Sequence, residues 1–378
     1  MPTVAFESSW HSKFMTCSTP TDQATGSYNQ EDLMKNQAVF LTSLETLEFR
    51  DVPVPEIGAD DVLVKMEAVG ICGSDLHYYS HGRIGDFVVE FPFILGHECA
   101  GTIIAKGESV DHLNIGDRVA LEPGIPCGQC EFCLGGQYNL CPDVQFFATP
   151  PYHGCLQNYV KHKASFAFKL PDNVSSTEGA LVEPLAIGIN AVQTAGVKLG
   201  DSVVIFGAGC IGLVTLLAAR ASGATQVIVV DVVDKRLEVA RDMGATTLNA
   251  REVDVITEIK KRTSAKGARV VIDCAGTNTT LSQTVQVAKA GGMIVWVGLA
   301  ADEIHGLPLS NISTKELTIT SIFRYKNLYP TTIAAIADGK IDISGIVSNT
   351  YKFDQTIEAY AETLKNVQNI VKSVIVFD

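Results

Sequence analysis

Apolar and polar positions give the chain two textures. In its first part apolar residues come in short runs broken by glycine and proline. Residues 38–50, 62–68, 101–105 and 118–121 read as strands, and the turn-rich stretch 53–58 separates the first two. Short strands with this punctuation predict a barrel-like β domain. From Ser202 the pattern changes. An apolar strand over 202–206 leads into a glycine turn, a helix over 213–221 and a second strand over 226–230 ending in Asp231. The alternation continues with helices over 233–243, 254–262 and 281–289, and strands over 269–272, 293–297 and 317–323. Strands alternating with helices predict a doubly wound parallel sheet, so the fold class is α/β. Residues 329–337 and 355–366 then read as helices and 373–377 as a strand. Residues 1–33 are polar and aperiodic and predict a disordered N-terminal extension. The run 203–221 is apolar enough to imitate a membrane helix, but its three glycines follow a strand-like run and exclude that reading.

A chain of 378 residues has room for two domains and a large core. Its net charge of −13 argues against nucleic acid or an anionic membrane as partner, since both require basic patches. The first 30 residues hold no apolar stretch and a single Lys or Arg, Lys13, which fits neither a secretory signal nor an Arg-rich transit peptide. Ten cysteines in a chain this long do not suggest a disulfide scaffold; their clustering suggests metal and a reducing compartment.

Two clusters carry that suggestion. Cys72, His97 and Glu98 bring a thiolate, an imidazole and a carboxylate within 27 residues, three ligand types for one tetrahedral zinc with a fourth position open. Cys127, Cys130, Cys133 and Cys141 follow the spacing C-x2-C-x2-C-x7-C. Four crowded thiolates repel and oxidise unless a metal holds them, and a closed structural zinc is the natural reading. The rival is an iron–sulphur cluster, whose bacterial spacing has three residues before the last cysteine where this chain has seven. Cys17, Cys99, Cys155, Cys210 and Cys274 are read as small apolar packing. Glu183 interrupts the apolar run 179–185; it either needs a cation or a proton there or sits at a solvated loop end. Gly207, Gly209 and Gly212 form G-x-G-x-x-G between strand and helix, and Asp231 lies 19 residues beyond Gly212. That combination predicts a dinucleotide site, with pyrophosphate at the helix N-terminus and the carboxylate on the adenosine ribose.

The run Gly96-His97-Glu98-Cys99-Ala100-Gly101, continued by Gly107 and Val110, joins Gly70-Ile71-Cys72-Gly73-Ser74-Asp75 upstream. Together they resemble the zinc-dependent medium-chain dehydrogenases. Cys72 to Tyr79, followed by His81-Gly82-Arg83-Ile84-Gly85, is similar to the sorbitol and xylitol dehydrogenase branch. The resemblance runs from about Met34 to the C-terminus. It implies a GroES-like β-barrel catalytic domain over 34–185 and 327–378, and a Rossmann NAD-binding domain over 186–326. It also implies two zinc ions per chain, one catalytic and one structural, and a polyol/ketose substrate pair. A cytoplasmic homo-oligomer, tetramer or dimer, follows from the same likeness. Glu183 would stand at the catalytic zinc, directly or through water. Ser74 would relay a proton or serve the turn. Tyr78, Glu183, Arg324 and Tyr325 would line the substrate site; in the blander reading Tyr78 packs and Arg324 contacts the cofactor phosphate or a carboxylate. Ile211, Arg236, Val297, Gly298, Leu299, Ile322, Phe323 and Arg324 would join Gly207, Gly209, Gly212 and Asp231 around the cofactor, with Arg236 also able to approach a 2′-phosphate. The alternatives are a dehydrogenase for threonine or butanediol, or a non-catalytic binding protein on the same fold.

Overall fold

The computed structural model describes residues 35–298 and 303–378. The extension expected over 1–33 and the expected cofactor residue Leu299 lie outside them. The described chain opens with a hairpin, Asn36–Ser43 against Thr46–Val52. The single strand expected over 38–50 is therefore two strands. Its turn carries no glycine, proline or asparagine to mark it; Leu44 is exposed and Glu45 takes φ 58.

The strand Asp61–Ile71 is the spine of the first sheet and is buried at nearly every position. One edge pairs with Glu98–Lys106. The other is shared by Tyr159–Lys163 near its start and Lys372–Val376 near its end. Further strands, Arg118–Leu121, Ala167–Lys169 and Val347–Lys352, extend this to a seven-stranded sheet among the described residues. The C-terminal strand thus returns to the sheet that carries both halves of the Cys72–Glu98 cluster. Of the helices that were not expected, two bear on the site. Gly73–His81 leaves the end of the spine strand, with Cys72 as its N-cap. Val182–Thr194 takes up the apolar run around Glu183, with Pro184 tolerated in the first turn, where its missing N–H costs nothing.

The second sheet is six-stranded and parallel among the described residues, and its strands were largely legible. Its order is Thr246–Asn249, Gln226–Asp231, Ser202–Phe206, Ala268–Asp273, Ala288–Trp296, Thr318–Ser321. Chain order reverses between Ser202–Phe206 and Ala268–Asp273, which opens a crevice at their carboxyl ends, the usual ligand position in such sheets. The helix expected over 281–289 runs Asn278–Val287 and gives way to a strand already at Ala288. The run 203–221 is a strand, a glycine turn and the helix Cys210–Ala221. No helix among the described residues is long and apolar enough to cross a membrane. Helices Val182–Thr194, Cys210–Ala221 and Tyr329–Ala337 bury one continuous apolar cluster with the strands beside them.

Candidate active site

The spine strand and its neighbour Glu98–Lys106 converge where Cys72, His97 and Glu98 meet. One donor atom from each lies within 4.8 Å of the other two, and His97 and Glu98 are buried. A soft thiolate, an imidazole and a carboxylate at that separation fit a tetrahedral zinc with one position left for another ligand. Glu183 is not one of the three.

Two charged residues that sequence reasoning gave no role complete this cluster. Asp75 is fully buried on the helix Gly73–His81. One of its oxygens, Oδ2, accepts the Cys72 N–H at 3.0 Å. The other, Oδ1, accepts the Gly96 N–H at 3.1 Å and lies 3.4 Å from His97 Nδ1. A carboxylate on Nδ1 fixes the imidazole so that Nε2 faces the donor group. Burial works against a charged His97, but Asp75 and then Cys72 outweigh it and hold its pKa well above the ordinary value. Asp75 itself is held low by His97 and by the two backbone N–H groups, against its own burial. Lys372, on the returning strand, donates to both Glu98 oxygens at 2.7 Å and to the Ile71 carbonyl at 3.1 Å. It is 3% exposed. A lysine interrupting an apolar C-terminal strand was the available signal, but the expected strand began one residue later. Gly70 makes room for Glu98: a Cβ there would stand 2.1 Å from Glu98 Oε2.

Glu183 lies in the first turn of its helix, 5% exposed, which excludes the solvated loop end. Tyr325 donates to its Oε1 at 2.9 Å. Burial pushes the Glu183 carboxyl up to about 7; Glu98 adds to this, while His97, Tyr325 and Lys372 pull it back. Arg324 stacks its guanidinium over the Phe146 ring at 3.7 Å and donates to Thr149 Oγ1 at 3.4 Å. Phe146 also packs near His97, ring centres 5.9 Å apart, so this wall adjoins the donor cluster. Tyr78 is buried on the helix that follows Cys72, and burial, then Asp75, pushes its phenol up to about 12. Ser74 sits half-buried in the first turn of that helix. Phe146 and Thr149 were not expected at the site.

The four lobe cysteines also come together, with donor sulphurs within 4.8 Å of one another. Cys130 and Cys133 sulphurs are 3.4 Å apart. Backbone N–H groups of Gln129 and Cys130 bring the Cys127 thiol down to about 7, favouring the thiolate a metal requires. This geometry fits a closed Cys₄ zinc.

At the sheet crevice, Gly207 takes φ +95, and a Cβ on Gly212 would stand 1.9 Å from the Gly207 carbonyl, so the turn needs both glycines. Ile211 lies in the first turn of the helix that Gly209 caps. Asp231 Oδ2 accepts the Ala208 N–H at 2.6 Å, and Oδ1 accepts from Val232 and Val233 at 2.7 and 2.9 Å. Arg236 reaches toward the same turn, its Nη1 3.9 Å from where a Gly209 Cβ would be, and donates through Nη2 to the Val367 carbonyl. Val297 and Gly298 donate to the Asp273 carbonyl, and Gly298 packs against Gly276 across the crevice. Ile322 and Phe323 follow the edge strand, with Phe323 half-exposed.

Residues 58–172 match the family described as alcohol dehydrogenase GroES-like domain, and residues 210–338 match zinc-binding dehydrogenase. A sorbitol dehydrogenase of Bacillus subtilis is 44% identical over 340 residues, covering 90% of this chain and 96% of that protein. An L-idonate 5-dehydrogenase of Vitis vinifera is 42% identical over 357 residues, covering 93% and 96%. A solved Escherichia coli structure, described as an oxidoreductase/dehydrogenase of unknown specificity, superposes with TM-score 0.88 at 42% identity, over 91% of this chain and 100% of that one.

Proposed function

This chain belongs to the zinc-dependent medium-chain dehydrogenases, oxidoreductases acting on a CH–OH group, and on that premise we propose that its substrate is a sugar alcohol. Hydride would pass between a secondary carbinol carbon of sorbitol, xylitol or iditol and NAD, giving a ketose. The observation that carries this reading is the wall beside the donor cluster. Arg324, Thr149 and Tyr78 offer hydrogen-bonding groups there, where a pocket for a simple aliphatic alcohol would be apolar.

Zinc on Cys72, His97 and Glu98 would supply a Lewis acid that lowers the pKa of the reacting hydroxyl, and NAD on the glycine turn would supply the hydride acceptor. Asp75 holds the His97 ring in place, and Lys372 balances the Glu98 charge in a site too buried to leave it bare. Glu183, near neutrality by burial, is suited to hold the proton that leaves the substrate hydroxyl, and the Tyr325 phenol keeps its carboxylate oriented. Arg324 and Tyr78 would bind the neighbouring hydroxyls. Asp231 favours NAD over NADP, because a 2′-phosphate would bring nearly two negative charges against a buried carboxylate. The free thiols of both metal clusters suit a reducing compartment such as the cytoplasm.

Initial rates with sorbitol, xylitol, ribitol and threonine, each with NAD and NADP, test the reading. A polyol with NAD should lead. A lead for threonine would replace the substrate class, and no reduction with any pair would place the substrate outside this set and overturn the polyol reading.

A further inference from the structure

The turn 323–327 that presents Arg324 is strained. Two non-glycine residues in it take left-handed backbone, Arg324 at φ 57 and Asn327 at φ 55. For an arginine that conformation is disfavoured, and it persists when surrounding contacts over-determine it. Here the contacts come from the cysteine lobe. A short 3₁₀ helix, Tyr138–Leu140, lies between Cys133 and Cys141. Asn139 Nδ2 donates to the Phe323 carbonyl at 2.8 Å, and the Asn327 N–H donates to the Tyr138 hydroxyl at 2.6 Å. Asn327 Nδ2 also reaches the Gly136 carbonyl at 3.5 Å. Tyr138 is in turn anchored by donating to Glu122 Oε1 at 2.7 Å. From the opposite side Asn190 Nδ2 holds the Arg324 carbonyl at 2.8 Å. The lobe thus grips the backbone on both sides of Arg324 while the guanidinium lies over Phe146.

We propose that Tyr138 and Asn139 are positioning residues for substrate selectivity: the lobe holds the 323–327 turn in the conformation that puts Arg324 into the substrate wall. The inference rests on the polyol reading for its effect on rates, though not for its effect on the turn. A lobe built this way does more than stabilise its own loop. It sets the place of a side chain far away in sequence, so its folding and the pocket's preference are one structural unit. Relaxing the turn moves a group that only a hydroxyl-rich substrate uses.

The test compares wild type with Asn139→Ala and Tyr138→Phe, neither of which touches the donor cluster. Hydrogen exchange of the peptide covering 323–327 should quicken by roughly tenfold in both variants, as expected for loss of one hydrogen bond of ordinary strength. The kcat/KM for xylitol should fall by roughly the same factor while that for 2-butanol changes less than about twofold. Zinc content should stay at the wild-type value. Equal losses on both alcohols, or unchanged exchange, would overturn the proposal. Exchange needs no substrate, so if wild type shows no preference for xylitol the polyol reading fails while the grip on the turn is still judged. Should Asn139→Ala not fold, Tyr138→Phe alone carries the same expectations.

Discussion

Replacing Glu122 by glutamine should stabilise the protein, and only at higher pH. Glu122 is 2% exposed, and the charged group that acts on it, Glu183, is another carboxyl. Burial, with Glu183 adding to it, raises its pKa from 4.5 to about 7, although the Tyr138 hydrogen bond works the other way. A carboxyl with a raised folded pKa binds its proton more tightly folded than unfolded. Between the two values the native state holds the extra proton, so stability falls as pH rises through that window. The charged form then costs roughly 3 kcal/mol at pH 8 and less than about 1 kcal/mol at pH 5. Glutamine keeps an oxygen to accept from Tyr138 and never ionises. Thermal unfolding by calorimetry at pH 5 and pH 8 reads the effect. Glu122→Gln should melt several degrees higher than wild type at pH 8 and close to it at pH 5. An equal difference at both values, or a loss at pH 8, would refute the claim that a buried charge is being held there against its hydration.

Elemental analysis should find two zinc ions per chain, and iron with visible colour would overturn the zinc assignment of the four-cysteine lobe. His97→Ala should abolish turnover and leave one zinc, with the lobe intact; retention of most activity would reject the assignment of His97. Gly70→Ala places a methyl 2.1 Å from Glu98 Oε2 and must displace that carboxylate, so the catalytic zinc should be lost while the lobe zinc stays. A variant with both zinc ions and full rate would show that Glu98 tolerates the move. Asp231→Ser should narrow the NAD preference, and a wild type that prefers NADP would mean that Arg236 outweighs the carboxylate.

The sequence made most of the parallel sheet legible because its central strands are apolar runs and two of the turns into a helix carry glycine, at Gly207 and Gly209 and at Gly276, whereas the edge strand Thr246–Asn249 is too short and polar to stand out. Cys127 to Cys141 were equally plain, since few arrangements other than a metal tolerate four close thiols. The hairpin turn at Leu44 and Glu45 was hidden because neither residue announces a turn. The helix carrying Glu183 was missed because proline near its start and apolar residues on all sides mask the period. Asp75 and Lys372 were invisible as partners for another reason. Each makes sense only beside a group brought in by the fold, His97 for Asp75 and Glu98 for Lys372, the latter 274 residues away in sequence. Local pattern reports which residue types are present; it does not report which buried charges face one another.

The central claim is that a hydrogen-bonding wall beside the zinc donors selects polyols. If Arg324 and Tyr78 bind the substrate's neighbouring hydroxyls, an alcohol lacking them leaves those groups unpaired. Discrimination of ~10⁴ is then reachable, against ~10–200-fold for a missing methylene. The direct measurement is kcat/KM for xylitol and for 2-butanol with NAD, in wild type and in Arg324→Ala. Wild type should favour xylitol by several orders of magnitude, and Arg324→Ala should lose far more on xylitol than on 2-butanol. Equal kcat/KM for the two alcohols in wild type would contradict the polyol claim and leave a zinc dehydrogenase of another substrate class.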